Sequence, residues 1–227
     1  MDLLKATEPL AAHVSWAVWP EVDLSRPLDD LDLSTPDLKA SQVHVNAVIV
    51  GLNRSKEIGD TFLKWGNFHT AAKHNDHVLA GAFVGTPFEG ALMVDLVDAV
   101  EGNSTNVPVT ETDVTKLGEF VRSLGSDDPV FVGLGSKVYA GLHQHRVSLS
   151  RIMTQSPDNW ADPTGGERIV PETRIVKLPH YSSQNHRSHY SHPATYRARA
   201  HAALDEAFTA DGWGDWRQPG LPRSTRT

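Results

Sequence analysis

Four polar clusters, each directly after an apolar run, hold the residue types most suited to chemistry. Their leading members are Asn53, Asp95, Ser136 and His180. An amide can orient a water molecule, a carboxyl can read a hydrogen-bonding edge, and an imidazole can donate a hydrogen bond to developing negative charge. In open α/β sheets, ligands bind outside the carboxyl ends of the strands. The sequence therefore predicts one site built from four strand ends.

The apolar runs before these clusters are short and rich in β-branched residues, which favours buried strands over helices. Segments with helical patterns lie between them. The predicted strands are 45–50, 89–98, 129–134 and 174–178. The predicted helices are Leu3 to Trp19 in whole or in part, a helix that follows a loop within 56–81 and closes at Gly81, Thr110 or Thr112 to Leu124, Gly135 toward His143, and Ala194 to Ala210. Strands that alternate with helices predict an α/β fold, three-layer α/β/α with a central four-stranded parallel sheet.

The chain has 227 residues, enough for one full core. Residues 1–44 are predicted to form an N-terminal helix and an acidic extended segment packed on the core. Residues 45–210 form the α/β domain. Residues 211–227 are predicted to be a loosely held C-terminal tail, despite Trp213 and Trp216.

Composition excludes several classes of protein. The chain has no cysteine, which excludes disulfides, thiolate metal sites and cysteine-held iron–sulfur clusters. His69, His74 and His77 lack an accompanying carboxylate or HExxH pattern, so we expect no metal and no cofactor. No apolar run reaches membrane-spanning length. Charged residues interrupt the first apolar segment, so we do not expect a signal peptide. We expect a cytoplasmic monomer with no membrane partner.

Charge is unevenly distributed along the chain. The net charge is −7, yet the window from Thr173 to Leu204 contains no acidic residue. Lysine, arginine, histidine and tyrosine are mixed within it. This pattern is typical either of a solvated basic face or of a surface that meets phosphates and bases. Both interpretations stay open on charge alone.

Two of the clusters resemble the motifs of a known superfamily. GLNRS (51–55) and PHYSSQN (179–185) resemble the two motifs of the uracil-DNA glycosylase superfamily, which have forms such as GINPG and HPSPLS. WGNFH (65–69) is similar to the GN-aromatic segment of its mismatch-specific, cysteine-free branch. The chain departs from these motifs where Arg54 and Tyr181 replace prolines. The resemblance implies an enzyme that cleaves the N-glycosidic bond of a pyrimidine flipped out of DNA.

Roles for individual residues follow from this resemblance. It implies that Asn53 orients the attacking water and that His180 donates a hydrogen bond to the pyrimidine O2. Phe68 would stack on the base, with Gly51 and Leu52 beside it. The alternatives are an Asn53 that caps the next helix, a His180 that caps local backbone, and a Phe68 that packs in the core. The expected DNA contacts are Arg54, Ser55, Gly135, Ser136, Tyr181, Ser182, Arg187 and Tyr190.

Asp95 predicts the target base. Uracil enzymes of this superfamily carry an Asn at the matching position, where the amide reads uracil O4 and N3–H. A protonated carboxyl instead donates to cytosine N3 and accepts from N4. The prediction is a glycosylase for a C5-modified cytosine, extending to glucosylated hydroxymethylcytosine of phage DNA and hence antiphage defence. The alternatives are uracil or mismatch repair, a non-catalytic DNA-binding module, and an Asp95 that caps a helix or pairs with Arg54.

Overall fold

Five strands form one mixed, mostly parallel sheet in the computed structural model, which describes residues 1–19, 38–55, 63–69, 76–154, 172–181, 193–218 and 221. The strands are β1 Val14–Trp16, β2 His44–Gly51, β3 Ala91–Asp95, β4 Val130–Leu134 and β5 Arg174–Leu178. The helices are α1 Leu3–Thr7, α2 Asp76–Phe83, α3 Glu111–Ser123, α4 Ser136–Gln144, α5 Arg146–Thr154 and α6 Pro193–Ala210. All four predicted strands are confirmed.

The strand order is β1-β3-β2-β4-β5. Strands β2 to β5 run parallel, with Gly51 opposite Asp95 and Leu134 opposite Leu178. The chain leaves β2 for a neighbour on one side and later returns to pair β4 on its other side. Such a reversal opens a crevice at the carboxyl ends of the two central strands. The fold therefore centres its crevice on the end of β2.

The predicted four-stranded parallel sheet is wrong in one respect, because β1 adds a fifth, antiparallel strand on β3. The segment from Leu3 to Trp19 is predicted helical, but α1 ends at Thr7 and a 3₁₀ turn with Pro9 follows. Proline cannot donate the next helical hydrogen bond. Val14 and Trp16 are then fully buried in the sheet. Edge pairing with β3 therefore outweighs the helical pattern.

The later predicted helices are present, with shifts at their ends. Thr110, one of the two threonines predicted as possible caps, caps α3 in a reciprocal pair with Asp113. The helix predicted to close at Gly81 continues to Phe83, and the earlier part of that prediction, 56–62 and 70–75, lies outside the described residues. Helix α5 was not predicted, because its serines and threonine weaken the helical signal.

Two apolar clusters lie against the sheet. Alternate residues of β2 point to opposite faces. Ala47 and Ile49 share a cluster with residues of α2 and α6, whereas Val48 and Val50 share one with residues of α3, α4 and α5. No helix among the described residues is long and apolar enough to cross a membrane.

The described part of the C-terminal tail is anchored, contrary to prediction. Trp213, Trp216 and Leu221 are buried. The Trp216 indole donates to Asp205 Oδ1 at 2.8 Å, and the Arg217 guanidinium pairs with the same carboxylate while lying 4.4 Å over the Trp216 ring. Hydrogen bonds from Arg217 lower the pKa of Asp205 to about 2. These contacts attach the tail to α6.

Candidate active site at the strand ends

Gly51, Phe68 and Asp95 meet at the carboxyl end of the sheet. Gly51 and Asp95 are register partners on adjacent strands. A Cβ placed on Gly51 would overlap Asp95 Oδ1 and lie 2.9 Å from Phe68 Cζ. Real Cβ atoms do not approach that closely, so only glycine fits between the carboxyl and the ring. The structure thus brings together three of the four residues predicted to contact the base.

Phe68 and Leu52 do not have equivalent positions. Phe68 is 6% exposed and packs in the same cluster as Ile49, with its ring edge toward Gly51. Leu52 is buried in the cluster on the other face of the sheet. Its carbonyl accepts from Val97 N at 2.9 Å. The ring of Phe68 is therefore on the same face as Asp95, and the Leu52 side chain is not.

The segment 63–69 is attached to the N-terminal residues. Trp65 N donates to Ala11 O at 2.6 Å, and Ser15 Oγ donates to Trp65 O at 2.7 Å. Trp65 has φ +55°, a left-handed conformation that is costly for a residue with a side chain. Such strain persists only where surrounding contacts enforce it. The N-terminal segment therefore enforces the turn that carries Asn67 and Phe68 to the sheet.

Asp95 is half-buried and accepts a hydrogen bond from a side chain. Asn67 Nδ2 donates to Asp95 Oδ2 at 2.9 Å. Burial raises the pKa of Asp95 to about 6, although Asn67 and the nearby charge of Arg54 act in the opposite direction. Arg54 forms its ion pair with Asp98 at 2.9 Å rather than with Asp95. The carboxyl can consequently take up a proton near neutral pH.

Asn53 connects the loops that follow β2 and β3. Its Nδ2 donates to the carbonyls of Arg54 and Glu101, each at 2.8 Å. Backbone hydrogen bonds from Leu96 to Gly51 and from Val97 to Leu52 join the same two loops. An N-cap side chain accepts from backbone N–H groups, whereas this amide donates. The amide hydrogens are thus used within the loops, and Oδ1 is the atom suited to hold a water molecule.

His180 lies at the other end of the edge, beyond β5. The His180 ring stacks on Tyr181, with ring centroids 5.2 Å apart. A Cβ placed on Gly135 would lie 3.3 Å from the Cβ of His180. Gly135 has φ +92° and donates from its N–H to Leu178 O. Burial lowers the pKa of His180, so the ring is neutral at pH 7 and retains one N–H donor.

A cavity of about 640 Å³ adjoins His180. Gly135 and Ser136 form its wall at the start of α4, and Lys177 of β5 contributes an ammonium group. Alanines and the carboxylates Glu206 and Asp211 line the side contributed by the end of α6. His180 lines the cavity, whereas Asp95 and Phe68 do not.

Strand spacing gives the scale of the whole site. Asn53 follows β2 and His180 follows β5, two strands away. Neighbouring strands lie about 4.8 Å apart, so the backbones that carry these two residues are separated by roughly 10 Å. That separation can accommodate a nucleoside between the two side chains.

The residues predicted to contact DNA differ in accessibility. Ser55 and Ser136 are exposed, and Tyr181 is half-buried against His180. The Arg54 side chain is only 14% exposed and is paired with the exposed Asp98. Ser182, Arg187 and Tyr190 lie outside the described residues.

Of the three histidines considered for a metal site, only the His69 side chain lies in the described part of the chain. His69 is buried, with Nε2 2.9 Å from Trp16 O. His74 and the side chain of His77 lie outside that part. Among the described residues, no group of three potential ligands is close enough to hold a metal ion.

Asn67 is the residue of the site that the sequence did not single out. It lies within WGNFH, next to Phe68, but its role depends on a contact with β3 that no local pattern indicates. No family model matches this chain, and neither a curated protein nor a solved structure matches it. The function proposed below therefore depends on the site residues and the two short motifs.

Gly51→Ala should disrupt the site, since the new methyl would displace Asp95 and Phe68. We expect the free energy of unfolding to fall by about 1–3 kcal/mol and the NMR signal of the Asp95 carboxyl to shift. Gly102→Ala is the matched control, because a Cβ there lies 3.9 Å from its nearest neighbour. The measurement is thermal unfolding of both variants beside the wild type. If both variants unfolded at the wild-type temperature, the tight packing around Gly51 would be contradicted.

Proposed function

We propose that this protein is a DNA glycosylase that removes a C5-modified cytosine and leaves an abasic site. The observation that carries the proposal is a half-buried carboxyl of raised pKa, Asp95, next to Gly51 and Phe68 at the edge that also holds Asn53 and His180. We also propose a three-layer α/β/α arrangement, a cytoplasmic location and a monomer that binds DNA. The two clusters on opposite sheet faces support the layers.

Base recognition would use both oxygens of Asp95. In its protonated form, Oδ1 donates to cytosine N3, and Oδ2 accepts from the N4 amino group beside its bond from Asn67. With a pKa of about 6, roughly one carboxyl in ten is protonated at pH 7. Binding to N3 favours the protonated form further, because only that form donates. Uracil presents N3–H, which cannot accept this proton.

The chemical step needs a nucleophile and charge stabilisation. A water held by Asn53 Oδ1 adds to the sugar C1′ as the bond from C1′ to N1 breaks, and the water then loses one proton to the surrounding solvent. The bond's electron pair moves into the base, and the proton from Asp95 at N3 neutralises it. The neutral His180 donates a hydrogen bond to O2, where negative charge develops. Asp95 thus acts in the protonated form, which is the minor form at pH 7, and His180 acts in its neutral form.

Contacts to the DNA backbone would come from the region around His180. The N–H groups at the start of α4, with the exposed Ser136 hydroxyl and Lys177 nearby, suit a phosphate. Glu206 and Asp211 on the opposite lip repel phosphates. The strand would therefore approach from the α4 side of the cavity.

The test is a panel of duplex and single-stranded oligonucleotides that carry uracil, cytosine, hydroxymethylcytosine or its glucosylated form. Abasic sites are detected as breaks after alkali treatment. We expect breaks only at C5-modified cytosines. Efficient excision of uracil with no cytosine product would refute the base assignment and support repair instead.

One observation favours a second candidate, a non-catalytic DNA-binding module. Asn53 donates its amide hydrogens to backbone carbonyls, and this structural role is sufficient to account for the residue. In that case every oligonucleotide of the panel would bind without forming an abasic site. A binding titration on the same DNA separates the two functions.

A further inference from the structure

The amide of Asn67 makes two hydrogen bonds that fix its orientation. Nδ2 donates to His13 O at 3.1 Å and to Asp95 Oδ2 at 2.9 Å. A backbone carbonyl can only accept, so the nitrogen and not the oxygen must face His13. The same nitrogen then faces Asp95. The N-terminal segment thereby determines which end of the amide reaches the carboxyl.

We propose that Asn67 is a positioning residue that decides which oxygen of Asp95 carries the proton. An N–H donor needs an oxygen lone pair, and the protonated oxygen of a carboxylic acid is the poorer acceptor. Oδ2, which receives the bond from Asn67, therefore stays unprotonated. The proton resides on Oδ1, the oxygen beside Gly51. The inference rests on the proposed function, because it specifies how the same carboxyl presents a donor to the base.

The electrostatic surroundings of Asp95 make this role measurable. Burial favours its neutral form, whereas the bond from Asn67 and the charge of Arg54 favour its ionised form. Arg54 is itself paired with Asp98. Gly51 and Phe68 contribute no charge. Loss of the Asn67 donor should therefore raise the pKa of Asp95.

The test is an NMR titration of the Asp95 carboxyl carbon in the full-length protein without DNA. In Asn67→Ala we expect the midpoint to rise by about one pH unit, a tenfold change in the protonation equilibrium. Asn67→Ser is the second variant if alanine prevents folding. An unchanged midpoint in a folded variant would overturn the proposal.

Ser15→Ala is the matched control. Ser15 holds the same segment through Trp65 O but does not contact Asp95. If Asn67 acts directly, Ser15→Ala leaves the Asp95 midpoint within a few tenths of a unit. Equal shifts in both variants would mean that loosening of the segment is the cause, and would overturn the positioning role.

The titration needs no substrate, so it separates this inference from the proposed function. An unchanged Asp95 midpoint refutes the role of Asn67 even if the wild type excises cytosines. A raised midpoint in a protein that excises nothing supports the positioning role and refutes the glycosylase. In an active enzyme, the pH profile of excision should move with the titration.

Discussion

Asp95→Asn is expected to lower excision of C5-modified cytosine by about 10²–10⁴-fold. The amide oxygen accepts from Asn67 at the Oδ2 position and the amide nitrogen donates a hydrogen bond from the Oδ1 position, but the amide has no proton to transfer to cytosine N3. Uracil remains a poor substrate, because its N3–H then faces the amide nitrogen. Wild-type excision should fall as pH rises through about 6, because ionised Asp95 no longer donates. The variant should lack this pH dependence. Excision of both bases, measured between pH 5 and 8, tests the prediction.

The same substitution has an expected effect on stability, and its sign follows from linkage. The folded-state pKa of Asp95 is raised, so folding is favoured while the carboxyl is protonated and is weakened as pH rises from about 4 through about 6. Asp95→Asn should therefore melt higher than wild type at pH 7 and about equally at pH 4. Asp127→Asn, an exposed carboxylate, is the control. A variant that excised C5-modified cytosine at the wild-type rate and with the wild-type pH dependence would contradict the assignment of Asp95.

His180→Ala is expected to lower excision by about 10²–10³-fold, as loss of one preorganised donor to developing charge does in other enzymes. His180 is half-buried and stacks on Tyr181. The free energy of unfolding should change by no more than about 1 kcal/mol. Single-turnover excision and chemical denaturation measure the two effects.

His143→Ala is the matched control, since His143 also lies beside a tyrosine but is exposed on α4. It should retain full activity. Full activity in His180→Ala would remove this residue from the mechanism and leave Asn53 and Asp95 as the reacting pair.

The parallel strands could be predicted because each is a short, buried, β-branched run that ends in a polar cluster. Their order could not, since alternation along the chain is compatible with several orders. The meeting of Gly51 with Asp95 depends on β3 lying directly beside β2. The local pattern therefore indicates the site residues, and only the topology pairs them.

The N-terminal region was the least predictable part for a physical reason. Val14–Trp16 is too short for a strand pattern to be distinguished from a helical one, and its pairing partner lies far along the chain. The contacts of Asn67 with His13 and Asp95 depend on that pairing. The burial of Trp213 and Trp216 likewise depends on α6 being present to receive them.

Strand β1 also has a consequence for how the sheet opens. Trp16 pairs with Leu92, so forming this edge closes a long loop of chain. As a three-residue strand at the end of the sheet, β1 should be among the first parts of the sheet to open transiently. Each opening would release the turn at Trp65 and with it Asn67, while β2 to β5 and His180 stay in place. Asn67 beside Asp95, which selects the base, would then open and close more often than His180, which stabilises the leaving group.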